Sequence, residues 1–270
     1  MLVLEKGSDV GGVWSTEGNE WSRVNHSEPA YRMLEKDGPR NFFHPPKSQL
    51  LWDCTRIASS ELAHRIRLRS SVISVSSVEQ TGAAGVETEG NYIIEYDDLR
   101  NGDAPLRQRI RANQVVLCVN RRLGKLRQVS WKNEHLFKGE VRYGVGNQIQ
   151  DVNFVGKRVL IVGGGAFATE NARTVIEKGA SSVLVLSRRR GSSMPQIIDY
   201  LGFVRPRKET FENDATGSAR SFSAWQQAYE ACGVSPPECW KEGRIAPVGH
   251  TITVSDIWLV AHYYGLLSTR

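Results

Sequence analysis

KRVLIVGGGAFATENARTVIEKGASSVLVLSRRR, residues 157–190, is the stretch on which the reading of this chain turns. Val159, Leu160, Ile161 and Val162 form a short unbroken apolar run, the pattern of a strand buried on both faces of a parallel sheet. Gly163, Gly164, Gly165, Ala166 and Ala168 follow, giving G-x-G-x-x-A on Gly163, Gly165 and Ala168. In such a turn the first glycine permits the tight bend, the second lets backbone approach a pyrophosphate, and the small third residue lets the next helix pack close. Helical sequence runs from 166 to 177 and stops at Lys178-Gly179, a cation followed by glycine. Residues 182–186 supply a second strand, and Ser187-Arg188-Arg189-Arg190 stands where an NAD-binding unit carries Asp or Glu. An acidic group there accepts ribose hydroxyls, whereas arginine meets a ribose phosphate, so Arg188 and Arg189 point to NADP rather than NAD. The bland counterparts are a glycine-rich turn without a ligand and a solvated run of charge.

Composition sets wide bounds. The 270 residues suffice for one large or two ordinary domains, and 40% hydrophobic with 24% charged content is that of a globular protein. A net charge of +6 suits an anionic partner such as a phosphorylated cofactor. Nucleic acid is not implied, because the basic residues are scattered and the clusters at Arg121-Arg122 and Arg188–Arg190 lack interleaved aromatics. Cys54, Cys118, Cys232 and Cys239 show no metal-ligand spacing, so reduced thiols and no metal are expected. No run of about 18 or more apolar residues marks a membrane-spanning helix.

From the start, residues 1–6 read as the end of a strand whose final acid, Glu5, would hold a ribose, as the second strand of a Rossmann unit does. Such a unit needs a first strand and glycine fingerprint on the order of 25 residues earlier. Neither precedes Met1 in this sequence, so the chain reads as the middle of a longer protein. Gly11-Gly12-Val13-Trp14 pairs two flexible residues with a large aromatic, and Asn25, His26 and Ser27 form a polar knot before Pro29. A helix is expected over 47–68, strands over 69–78 and 91–96, and a further buried strand over 114–119, QVVLCV. Residues 137–147 read as a linker into the second unit. After Arg190 the pattern loosens: loop and short helix over 194–203, a polar excursion over 205–220, and a helix over 221–231 with Phe222, Trp225, Ala228 and Tyr229 on one face. Ser255-Asp256 caps an apolar helix over 257–267, read as a core helix or as the wall of a substrate channel or membrane-surface contact. Trp240, Trp258, Tyr263 and Tyr264 hint at an apolar substrate site.

Taken together, Glu5, Gly11-Gly12-x-Trp14 and the fingerprint at Gly163 resemble the class B flavoprotein monooxygenases, which include flavin-containing and Baeyer–Villiger enzymes. LEKGSDVGGVW is similar to that family's strand-acid…Gly-Gly-x-Trp segment. The resemblance implies Glu5 on the FAD ribose, with Gly11, Gly12 and Trp14 along the flavin, and Asn25 beside the flavin. It implies an α/β fold of two Rossmann-like dinucleotide-binding units, a partial FAD domain over 1–150 and an NADP domain over 151–270, joined by mixed α/β material. The departures are specific. Phe137 and Gly139 fit the family's linker, but Tyr143 replaces its histidine and Asn147 its aromatic; Cys118-Val119-Asn120 stands for an Ala-Thr-Gly-like segment; and the closing part of the FAD domain is absent.

The implied function is NADPH- and FAD-dependent oxygenation of a small organic substrate by dioxygen, of N/S-oxygenation or Baeyer–Villiger type, through a peroxyflavin. Asn25 is the candidate catalytic hydrogen-bond donor, its alternative being a structural role in the turn before Pro29. A cytoplasmic location is the expectation, any targeting peptide preceding the absent strand. The rival reading is a non-catalytic NADP-binding remnant that lacks flavin. A two-cofactor disulfide reductase is disfavoured, because no C-x-x-C pair is present.

Overall fold

The computed structural model describes residues 1–26, 31–34, 44–78, 91–100, 104–119, 129–200, 215–241, 244–245 and 252–270. Ser27, Pro29, Asn120, Arg121-Arg122 and most of the expected polar excursion lie outside them. The chain forms two compact units, Met1–Ser15 with Cys54–Val141, and Thr16–Asp53 with Arg142–Arg270.

The first unit begins with β1 (Val3–Leu4), which ends one residue before Glu5 as its sequence predicts. Helix α1 (Val13–Thr16) starts directly after Gly11-Gly12, and helix α2 (Lys47–Glu61) carries residues of both units. The helical reading to residue 68 overshoots. The chain turns after Glu61, and Ile66 opens β2 (Ile66–Arg67), which pairs in parallel with β1. β3 (Ser70–Ser77), β4 (Tyr92–Asp98) and β5 (Leu106–Ala112) form an antiparallel sheet in that order. Ile94 and Tyr96 on β4 are buried, as is Asp98 at its end. Arg100 donates to both carboxylate oxygens of Asp98 and, with the Arg100 amide, holds that acid down at about 2.

The expected buried strand at 114–119 does not form. Residues 114–119 join no ladder, and Val116, Leu117 and Val119 are 81%, 70% and 78% exposed. A β-prone run becomes a strand only where a neighbouring backbone takes its hydrogen bonds, and none of the described residues offers 114–119 such an edge.

The second unit is built on β6 (Arg158–Val162), α3 (Ala166–Glu177) and β7 (Ser182–Leu186), the boundaries that periodicity and the Lys178-Gly179 stop predict. Gly179 has φ +88°, as a helix-ending glycine requires. Next come β8 (Ser193–Met194), the short α4 (Gln196–Asp199), α5 (Ala215–Ala231), the hairpin β9 (Trp240–Lys241) and β10 (Arg244–Ile245), β11 (Thr253–Val254), α6 (Asp256–Tyr263) and β12 (Leu267–Thr269). The main sheet is parallel in the order β12-β7-β6, while β11 pairs in parallel with β8. The apolar helix expected over 257–267 is therefore shorter; it stops at Tyr263, Gly265 turns the chain at φ +70°, and Leu267 enters the sheet.

α3 packs against β6, β7 and α6, and α6 against β12. Val159 and Ile161 pack on the core beneath these helices, whereas Leu160 and Val162 are 54% and 51% exposed. β6 thus alternates rather than being buried on both faces: the unbroken apolar run predicts two covered faces, and among the described residues helices cover one.

The core continues into α5. Phe222, Trp225 and Tyr229 are buried on the face that helical periodicity predicts. Trp240 meets Tyr229 at 4.6 Å and Trp225 at 5.0 Å between ring centroids. The polar tips are used as well: Trp225 Nε1 donates to the Ser193 carbonyl at 2.8 Å, and the Tyr229 hydroxyl accepts from the Ser193 amide at 2.7 Å. These aromatics both fill the core and fix β8. Trp225→Ala should destabilise the fold by about 3–5 kcal/mol. Tyr229→Phe, which orphans the buried Ser193 amide, should cost about 1–3 kcal/mol; denaturant unfolding followed by circular dichroism measures both.

Candidate dinucleotide site

The turn from β6 into α3 is set by backbone geometry. Gly163 has φ +132°, a region closed to residues with a Cβ, and its amide donates to the Leu186 carbonyl at 2.9 Å, tying the turn to the end of β7. At Gly164 space decides: an added Cβ would lie 2.9 Å from Ser187 Cβ and 3.1 Å from the Arg189 carbonyl oxygen. Across the same contact, a Cβ on Gly191 would sit 2.6 Å from the Gly164 carbonyl oxygen. The loop of residues 187–191 therefore lies directly on the glycine turn.

Gly165 is the N-cap of α3 in extended conformation, with nothing within 4 Å of where a Cβ would stand. Its carbonyl accepts from the Ala168 and Thr169 amides. The amides of Gly165, Ala166 and Phe167 find no acceptor among the described residues, and the helix has no side-chain cap and no acid in its first turn. Such an end concentrates unpaired N–H donors and the positive pole of the helix dipole, an arrangement that binds anions. Ala168 is buried, consistent with the small residue that close packing of α3 requires.

Arg188, Arg189 and Arg190 are all exposed. A small cleft beside Gly164, with room for about one water, is lined by Ser187, Arg190, Gly191, Trp258 and Thr269 at the carboxyl ends of β7 and β12, the end of the strands where open α/β sheets bind their ligands. Arg190 rather than its two predecessors lines this cleft, a distinction invisible in a run of three identical residues. Gly191 also escaped the sequence reading, although a glycine directly after a charged turn was its signal.

Other site candidates sit as follows. Glu5 Oε1 accepts from the Gly7 amide at 2.6 Å, and its backbone joins the neighbouring strands through the Arg67 carbonyl and Ser70 amide. Gly11 and Gly12 take φ +109° and +50°, and their carbonyls accept from the Trp14 and Ser15 amides to open α1. Asn25 lies in the second unit. Its Nδ2 donates to the Ile252 carbonyl at 2.9 Å and its Oδ1 accepts from the Val254 amide at 2.8 Å, so the carboxamide grips β11 as a strand neighbour would. The hinted aromatic site is not gathered: Trp240 belongs to the α5 cluster, and Tyr263 and Tyr264 are 65% and 70% exposed. Trp258 alone of the four lines the cleft. Among the described residues no group of three or more His, Cys, Asp or Glu side chains could hold a metal ion, and no helix is long and apolar enough to cross a membrane.

Comparison with known proteins agrees with this geometry. Residues 152–232 match the family model NAD_binding_7, described as "Putative NAD(P)-binding". A steroid monooxygenase bound to NADP superposes on the whole chain with a TM-score of 0.65 at 14% identity. OTEMO in complex with FAD and NADP does so with 0.58 at 14% identity, and the polycyclic ketone monooxygenase of the fungus Thermothelomyces thermophila with 0.58 at 16%. The fold is that of these monooxygenases. The kinship expected from the motifs thus holds at the level of fold. The chain spans 60%, 60% and 53% of the three neighbours' own lengths. No curated protein matches by sequence.

The two glycines should separate in mutagenesis. Gly163→Ala forces a Cβ into a positive-φ conformation and should cost about 1–3 kcal/mol. Gly165→Ala, with ordinary φ and open space, should leave the melting temperature nearly unchanged; thermal unfolding of the pair checks this.

Proposed function

We propose that this chain binds NADPH over the turn at Gly163, Gly164, Gly165, Ala166 and Ala168, and that it serves, with FAD, in oxygenating a small organic substrate with dioxygen. The observation that carries the reading is the set of unengaged amides at the start of α3, facing open space at Gly165 and flanked by the basic turn 187–190. A diphosphate satisfies those donors, and a guanidinium at Arg188, Arg189 or Arg190 suits the additional ribose phosphate of NADP.

FAD fits the flavin side of the chain, which this reading draws from residues 1–150. Glu5 Oε2 has no partner among the described residues and can accept from a ribose hydroxyl, while the open turn at Gly12 admits a flat ring system near Trp14. When bound, FAD would supply the oxygen chemistry and NADPH the reducing equivalents. The protein's own residues bind, orient and exclude water. Asn25 has one amide hydrogen uncommitted after its bond to Ile252, and it is the donor we assign to the reacting oxygen centre.

One observation favours a second reading, an NADP-binding protein without flavin. Residues 114–119, on the flavin side, lie exposed and outside any sheet. The two readings separate on purification. Protein carrying a flavin absorbance band supports the oxygenase; colourless protein that still binds NADPH supports the binding protein.

Gly165→Asp should fold normally, since nothing crowds that position, yet place a carboxylate where the diphosphate would go. NADPH affinity should fall at least about tenfold, roughly 1.4 kcal/mol, with melting temperature unchanged or raised by helix capping. Arg190→Ala should weaken NADPH while leaving NADH binding nearly intact. Fluorescence titration with both nucleotides tests the pair; unaltered NADPH binding in Gly165→Asp would remove the site from the glycine turn.

A further inference from the structure

Asp199 closes α4 with no solvent exposure, and a buried carboxylate must be met by donors or by a cation. His26 meets it, with Nδ1 3.0 Å from Asp199 Oδ1. The imidazole is itself 42% exposed, so its proton exchanges freely with solvent. The hydrogen bond to Asp199 raises the pKa of His26, burial works against this, and the carboxylate charge adds to the rise. The ring of Tyr31 stacks on His26 at 6.2 Å between centroids; its phenol is pushed up, first by burial and then by the Asp199 charge, and stays neutral in the same range. Asp256 accepts from the Gln196 amide at the other end of α4.

His26 ends a short strap that has several other fastenings, one of them a second histidine: His44 Nδ1 lies 2.6 Å from the Val24 carbonyl oxygen. Arg23 forms an isolated bridge with Pro46, and fully buried Val24 donates to the Pro45 carbonyl at 2.9 Å. Asn25 grips β11 through both carboxamide atoms. Consecutive residues thus reach β11 and α4, which are far apart in sequence, and the second of these links is an ion pair only while His26 carries its proton.

We propose that His26 and Asp199 form a proton-operated clasp, which fastens residues 23–26 to α4 while the imidazole is protonated and slackens when it becomes neutral. The clasp lies within the second compact unit and acts whether or not a nucleotide or flavin is bound. A group whose folded pKa lies above its unfolded value near 6.5 gives stability that is complete below that value and is lost as pH rises through the folded one. His262 works in the opposite sense. Burial lowers its pKa, partly offset by the Trp258 carbonyl, so its contribution is complete above about 6.5 and is lost as pH falls. Wild-type stability sums these and every other titrating group, His44 included, so only a difference between variants isolates the clasp.

The test compares wild-type protein with His26→Gln, which keeps a donor and cannot ionise, by urea unfolding from about pH 6 to about pH 9. His26 is followed in parallel by its ring proton resonance in the wild type and in Asp199→Asn. The wild type should be more stable than His26→Gln at the acidic end, with the margin shrinking as pH rises. The His26 resonance should titrate above the ordinary imidazole value and return toward it in Asp199→Asn. Parallel stability curves for the two proteins, or a wild-type His26 titrating at or below 6.5, would overturn the proposal. The resonance titration needs only wild-type protein, and it decides the matter even if a variant does not fold.

Discussion

Everything in the second unit depends on one backbone constraint, the positive φ of Gly163 that swings the chain from β6 into α3. The bend lets the Gly163 amide close onto Leu186, brings Gly164 under the loop of residues 187–191, and aims the first turn of α3 outward. Along its other face the same helix buries Ala172 and Val175 against the sheet. Packing holds the helix in place but cannot satisfy its first amides, and these are the donors that the proposed nucleotide would use. The fold and the proposed binding chemistry therefore have a common origin.

The rear of α3 is held by polar groups. Arg173, 8% exposed, donates to Glu170 at 2.7 Å, to Glu177 at 2.8 Å and to the Trp21 carbonyl at 2.6 Å, while the Lys178 ammonium sits 3.2 Å from the centroid of the Trp21 ring. Asn171 adds a bond to the Gly144 carbonyl at 3.0 Å. A buried guanidinium with three oxygen partners is a specific device, because its bonds fit one rotation of the helix about its axis.

Local signals were legible and distant ones were not. β6, α3 and β7 could be read to within one residue, because apolar periodicity, the glycine turn and the Lys178-Gly179 stop all act within one segment. The run at 114–119 has the composition of a strand and yet forms none, since pairing is a property of two segments and composition of one. β8 and β11 have two residues each and are joined across 60 positions, with Asn25 gripping the second from yet another part of the chain. Asn25 could be marked as a polar residue of interest, but its hold on Val254 could not be read from spacing. The pairing of His26 with Asp199 escaped for the same reason, as did the choice of Arg190 among three arginines.

The uncovered side of β6 bears on how the polypeptide behaves in bulk. Leu160, Val162 and Leu186 turn apolar surface toward solvent, and β6 stands at the edge of the described sheet, where backbone groups can template pairing with another molecule. Against that attraction the chain sets a net charge of +6, whose mutual repulsion between molecules is long-ranged only in dilute electrolyte. Added salt screens that repulsion and leaves the apolar face and the open strand edge less opposed.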